Sequence, residues 1–213
     1  PNQSCRTAAI RFETLQREAS LEKVENAFKV APLFKEFYAD YKNVFYAVKA
    51  KVQPHFKADA DKDPAQLFTQ RLFNRLMFLA FIQRKGWLKI NGDTDYLTAL
   101  YKSYRKGHGS NFYNDILKPL FFEGLNQDER PAGHTDPRFG QVPYLNGGLF
   151  EKAEDQTDDN IREIPDDAFT AVLHPDDGLF AKYNFTASEN TPLDVEVAVD
   201  PEMLGKVFEE LVT

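Results

Sequence analysis

The feature that most constrains the fold is the stretch that opens on Asp63-Pro64 and closes at Lys85. Leu67, Phe68, Leu72, Phe73, Leu76, Met77, Phe78, Leu79, Phe81 and Ile82 occupy more than one side of any helix drawn through it. A helix wet along one side would not carry so many apolar residues, so this segment is expected at the centre of a helical bundle. Its ends carry their own signals. Asp63 is an N-cap residue and Pro64 suits a first helical turn, while Arg84-Lys85 complement the C-terminal dipole and Gly86 fits a left-handed cap.

Helices are expected on either side. Leu33, Phe37, Tyr41, Val44, Phe45, Val48 and Val52 recur at helical spacing, with Lys35, Lys42, Lys49 and Lys51 between them. Leu21, Val24 and Phe28 keep the period upstream, so Pro32 either opens a second helix or kinks one long one. Two more helices are expected from Thr94 to Lys106 and from Asn111 to Glu123, the latter kinked at Pro119.

Beyond Gly124 the texture changes. Residues 127–140 are rich in Asp, Arg, Pro and Gly, and 151–160 are acidic and nearly free of large apolar residues, which marks both as loops. Between them Val142-Pro143-Tyr144-Leu145 suggests a strand start, running into a turn at Gly147-Gly148. A short helix is expected from Pro165 to Leu173. Tyr183, Phe185 and Ala187, then Leu193, Val195, Val197 and Val199, alternate with other residues as in a small antiparallel ribbon. Asp200-Pro201 opens a last amphipathic helix through Met203, Leu204, Val207, Phe208 and Leu211. The expected fold is mainly α: a bundle-like helical domain over 13–124 after a flexible segment 1–12, then a loop-rich segment 125–213 with the candidate ribbon and terminal helix.

The 42% hydrophobic content is enough for a sizeable core, and 19 Phe make aromatic rings its main filler. The single cysteine, Cys5, cannot form an internal disulfide, and no Cys or His pair has zinc-ligand spacing. With no apolar run of transmembrane length and no signal peptide, a cytoplasmic setting without a membrane is expected. The sequence starts at Pro1 and stops within a helical pattern, so more protein is expected on both sides.

Charge is unevenly spread. Residues 1–106 hold 19 basic and 11 acidic side chains, the remainder 7 and 22. Such asymmetry suits either a basic face for a polyanion or internal pairing between the halves. Arg71, Arg75, Arg84, Lys85, Lys102, Arg105 and Lys106, interleaved with Trp87, Tyr101 and Tyr104, are the candidate DNA-backbone contacts. Some of these arginines could instead pair with the acidic half.

No complete catalytic set is legible. Methyl transfer onto adenine needs a glycine turn after a strand and an Asn/Asp-Pro-Pro-Tyr/Phe motif, and neither occurs. Asp194 and Glu196 share a strand face but lack the lysine of a metal-dependent nuclease. His55, His108, His134 and His174 have no partner spacing, and no Walker-type loop is present.

Three stretches carry a resemblance: residues 72–88 (LFNRLMFLAFIQRKGWL), 142–151 (VPYLNGGLFE), and Tyr183-Asn184-Phe185-Thr186 through Asp200-Pro201-Glu202-Met203-Leu204-Gly205-Lys206-Val207-Phe208-Glu209. In this order and spacing they resemble the segment preceding the catalytic domain in type IIG restriction-modification enzymes and related large adenine-specific DNA methylases, over most of residues 30–212. The resemblance implies a helical connector between an N-terminal module and an N6-adenine methyltransferase that uses S-adenosylmethionine. The N-terminal module would be a nuclease, using magnesium, in those members that cleave DNA; other relatives only methylate or act in phage defence.

The family's catalytic and cofactor motifs have no positions here, so no catalytic, cofactor or metal residue is assigned. The connector reading instead nominates Tyr144, Asn146, Gly147, Gly148, Phe150, Leu204 and Phe208 as interdomain contacts. DNA would be the partner through the parent protein. The alternative is a free-standing DNA-binding or regulatory helical protein.

Overall fold

The computed structural model describes residues 21–57, 63–93, 95–107, 109–127, 131, 133–145, 148–155, 158, 161, 163–185 and 198–199. Helix α1 (Leu21–Val52) runs unbroken through Pro32, which resolves the choice at that residue in favour of one long helix. Phe37, Tyr41, Phe45, Val48 and Val52 form its buried stripe. The helix gives way to a single 3-10 turn, Gln53–His55, at Pro54, whose ring cannot donate the next backbone hydrogen bond.

Helix α2 (Pro64–Gln83) is the central element the sequence demands. The Asp63 carboxylate accepts the Gln66 N–H at 2.9 Å as an N-cap, and also pairs with Lys49 at 2.6 Å. Ala65, Phe68, Leu72, Phe73, Leu76, Met77, Leu79, Ala80 and Ile82 are buried, so most of its circumference is covered. It stops where Gly86 adopts φ +70° and the Gly86 N–H bonds the Gln83 carbonyl at 2.9 Å.

Helix α3 (Tyr96–Lys106) is tied to the end of α2 by the Gln83 side chain, which accepts the Leu97 N–H at 3.0 Å. Residues 112–125 form helix α4. Pro119 keeps helical dihedrals (φ −59°, ψ −41°), and the stretches on either side, Tyr113–Leu117 and Leu120–Leu125, are wound as π-helix. The missing proline N–H thus shows itself as wider winding. The N-terminus of α4 is capped from far along the chain: the Asp166 carboxylate accepts the Phe112 N–H at 2.8 Å and holds Arg105 at 3.0 Å.

The second half departs from expectation at two places. Val142–Leu145 makes no strand; only an isolated antiparallel bridge between Lys89 and Gln141 forms, because the Pro143 nitrogen cannot extend the ladder. The ribbon is a pair of two-residue strands, β1 (Asn184–Phe185) and β2 (Ala198–Val199), and it pairs in parallel. Alternation reports which faces are apolar but not the sense of pairing. The expected helix near Pro165 is present as a 3-10 turn, Asp166–Phe169, leading into α5 (Thr170–Leu173), and α6 (Leu179–Lys182) follows. The residues of the expected ribbon between Phe185 and Ala198, the helix from Asp200 and residues 1–12 lie outside the described residues.

One aromatic core spans both halves. Phe37 meets Tyr183 at 5.0 Å and Phe185 at 6.0 Å, Phe112 meets Phe169 at 5.2 Å, and Phe121 meets Phe150 at 6.0 Å. Edge-on and tilted rings dominate, the arrangement that the ring quadrupole favours. Among the described residues no helix is long and apolar enough to cross a membrane.

Candidate interaction site

The site with the clearest shape begins where α2 ends. Gly86 turns the chain off the helix axis, and Trp87 follows with 54% of its surface exposed. Leu88 and Ile90 are buried and anchor the segment from below. Asn91 (φ 52°) and Gly92 (φ +81°) then form a tight turn, with Ile90 and Asp93 exchanging backbone hydrogen bonds of 3.2 and 2.9 Å. Asn-Gly is the pairing that such a turn favours, since both positions need positive φ.

The opposite wall comes from residues 133–145. Lys89 and Gln141 exchange backbone hydrogen bonds of 3.0 and 2.8 Å. Beside them Gly140 has φ +75°, and a Cβ there would lie 2.3 Å from the Lys89 carbonyl oxygen, so only glycine permits this approach. The Asp136–Gly140 hairpin is held by Arg138, which pairs with Asp136 at 3.0 Å and Glu123 at 2.8 Å, and by Tyr96, whose hydroxyl donates to the Phe139 carbonyl at 2.7 Å. The Arg138 hydrogen bond, outweighing partial burial, holds the Asp136 carboxyl below the usual carboxylate range. Leu145 N–H bonds the Leu125 carbonyl at 2.8 Å and fixes the exit of the segment on α4.

Between the walls is a cleft of about 420 Å³ lined by Trp87, His134, Gln141, Val142, Pro143 and Tyr144 among others. Tyr144 is 41% exposed, so two large rings face solvent at one opening. Arg84, Lys85 and Lys89 are exposed beside it and make no ion pair among the described residues. Among the described residues of this stretch the acids are Asp93, whose carboxylate accepts the Asp95 N–H at 2.9 Å, and Asp95, which shares a second, smaller cleft with Arg84.

The other basic candidates are placed differently. Arg75 is not on the surface: its side chain is 2% exposed and its guanidinium meets the Asp158 carboxylate at 2.8 and 3.2 Å. It also donates to the Leu149 carbonyl at 2.8 Å and the Glu151 carbonyl at 3.0 Å, and lies over the Phe121 and Phe122 rings. Burial of this arginine removes it from contact with any phosphate. Arg71 makes a bidentate pair with Asp155 at 2.6 and 3.0 Å, and Arg105 pairs with Asp166. Lys102 and Lys106 are exposed on α3. Pairing with the acidic half therefore accounts for Arg71, Arg75 and Arg105, and Lys51 joins them through Asp167 at 2.5 Å.

Of the nominated interdomain residues, Tyr144 and Gly148 are exposed, whereas Phe150 is buried against Phe78 and Phe121 and so belongs to this chain's own core. Asn146, Gly147, Leu204 and Phe208 lie outside the described residues. Asp158 and Asp166 are the buried carboxylates that the sequence did not single out. Each sits among other acidic residues, and only the tertiary partner distinguishes it. Among the described residues, no three His, Cys, Asp or Glu side chains gather as they would around a metal ion.

The chain is similar to a protein of Methanocaldococcus jannaschii named "Putative type II restriction enzyme and methyltransferase", with 34% identity over 149 residues. The match covers 68% of this chain and 12% of that relative, so the chain spans a small part of the protein it resembles. This similarity relates the chain to a restriction-modification enzyme and methyltransferase. No family model matches, and no solved structure matches.

Proposed function

We propose that the chain is a non-catalytic helical connector of a type IIG restriction-modification enzyme or a related N6-adenine DNA methyltransferase. The observation that carries this reading is the similarity itself, which covers most of this chain but a small share of a much longer relative named for both activities. In the parent, an adjoining domain would transfer a methyl group from S-adenosylmethionine to adenine in DNA. Any DNA cleavage would fall to a separate magnesium-dependent module. The part of this chain is mechanical: an aromatic-filled body that sets the spacing of its neighbours.

The test compares the 213-residue chain with the complete reading frame in transfer of labelled methyl groups to DNA. Methylation by the complete frame and none by the chain is the expected result; methylation by the chain alone would overturn the reading. Hydrogen exchange tests the docking faces. Segments 142–150 and 200–212 should exchange more slowly when the downstream domain is present, and unchanged exchange would remove the docking model.

A second reading, a free-standing DNA-binding helical protein, is favoured by Arg84, Lys85, Lys89, Lys102 and Lys106, which are exposed and carry no carboxylate partner among the described residues. Tight duplex binding with a steep negative salt slope by the chain alone would favour it over the connector.

A further inference from the structure

We propose that the Trp87–Tyr144 cleft holds an unstacked base of single-stranded DNA, with the strand's phosphates running along Arg84, Lys85 and Lys89. It draws on the DNA-modifying parent above only for the choice of DNA as the strand.

Three observations converge on this occupant. Trp87 and Tyr144 are two of only four large hydrophobic side chains that are strongly exposed among the described residues, and both line the same concavity. Exposed rings at the mouth of a cleft offer a stacking face, which every base can use and which a base inside a duplex does not offer. The cleft's 420 Å³ is large enough to admit a flat ring such as a base.

The second observation is charge. Lys49, Lys51, Arg71, Arg75, Arg105, Arg138 and Lys182 are each neutralised by a carboxylate of this chain. Arg84, Lys85 and Lys89, which flank Trp87 in sequence, are not. The former are paired within the chain, whereas Arg84, Lys85 and Lys89 outnumber the two acids of the adjoining stretch, Asp93 and Asp95. An apolar protein segment would match the rings but add no anion to the excess of cations; a nucleic-acid strand supplies both a stacking partner and phosphates.

Rigidity is the third. The Lys89–Gln141 hydrogen bonds, the Gly140 approach and the anchored Leu145 hold the two walls at fixed spacing, so stacking a base would cost little ordering of the protein.

Trp87 is the single tryptophan of the chain, so its fluorescence reports directly on the cleft. The experiment titrates the 213-residue chain with a thymidine oligonucleotide of about 12 nucleotides, a length in the range one binding face covers. Saturable quenching of Trp87 is expected, with a log–log salt slope of about −2 for three phosphates neutralised on a single strand. Lys85→Ala/Lys89→Ala should bring that slope near −0.7. Tyr144→Leu should weaken binding roughly tenfold while Tyr144→Phe, which keeps the ring, leaves it nearly unchanged. Circular dichroism of each exposed-site variant confirms that the fold is retained.

Absence of quenching, equal quenching by duplex and single strand, or equal binding by Tyr144→Leu and Tyr144→Phe would each overturn the proposal. Preference for an RNA oligonucleotide of the same length would overturn the choice of DNA. The outcome is separable from the connector reading. A failed titration leaves the methylation comparison unaffected, and methylation by the isolated chain would sink the connector without altering the fluorescence of Trp87.

Discussion

Arg75 shows how one side chain can organise a fold. Its guanidinium joins α2 to a segment 83 residues away through Asp158, and it fixes the carbonyls of Leu149 and Glu151 on the way. Asp158, 1% exposed, also accepts the Ala153 N–H at 3.2 Å, so the same carboxylate holds the backbone at Ala153. Removing either partner alone strands a buried charge. Arg75→Met or Asp158→Asn is therefore expected to cost about 3–5 kcal/mol in urea unfolding. The double variant Arg75→Met/Asp158→Leu should recover much of that loss, and a strictly additive loss would contradict the buried-pair account. Tyr41 is the opposite case. Its hydroxyl is buried with no hydrogen-bond partner among the described residues, and burial pushes the phenol well above its ordinary range. Tyr41→Phe removes an unsatisfied polar atom while keeping the rings stacked on Phe45 and edge-on to Phe73, so the denaturation midpoint should hold or rise, by up to about 1 kcal/mol. A clear loss of stability would show that the hydroxyl has a partner, such as a buried water.

At the level of elements, the short helix α6 is held against α1 by charge as well as by rings. Lys182 reaches Asp40 at 2.6 Å and Glu36 at 3.0 Å, and the Tyr183 hydroxyl donates to Asp40 at 2.8 Å. Partial burial raises the Asp40 carboxyl, but the hydrogen bonds from Lys182 and Tyr183 outweigh it and hold the group below the usual carboxylate range. A carboxyl depressed in the folded state binds protons more readily when unfolded, so its contribution is present above the unfolded value of about 3.9 and is lost as pH falls through the folded value. Acidification below about pH 4 is expected to loosen α6 before the aromatic core. Hydrogen exchange at 179–185 should rise there in the wild type, whereas Asp40→Asn should show faster exchange already at pH 7 and little further pH dependence in this region. Identical pH profiles for the two proteins would rule out Asp40 as the titrating group.

The described residues of both halves share one core, and that has a consequence for how the molecule can be divided. The rings of Phe150, Phe169, Tyr183 and Phe185 are packed on Phe121, Phe112 and Phe37 of the helical half. A chain ending at residue 124 would uncover those faces and leave Arg75 without Asp158. It is expected to keep helical far-ultraviolet dichroism but lose cooperative unfolding and near-ultraviolet signal, and to bind a hydrophobic dye. A truncated chain with a sharp unfolding transition would show that the helical half is an independent domain.

Much of this architecture was legible in local pattern. The all-round apolar run of α2, its Asp63 cap and its Gly86 stop, the stripe of α1 and the mainly helical class follow from spacing and from the conformational limits of proline and glycine, which act within a few residues. Long-range facts were not legible. Asp158 and Asp166 look like their acidic neighbours until Arg75 and the α4 N-terminus are placed beside them, and the pairing sense of β1 and β2 leaves no trace in alternation. The Trp87–Tyr144 cleft depends on Gly140 lying against Lys89, a contact between distant segments. The sequence by itself determined which elements form, because helix caps and apolar periodicity are local. Only the tertiary structure decided which charges are spent inside the chain and which remain for a partner, because a carboxylate neutralises whatever the fold brings within reach.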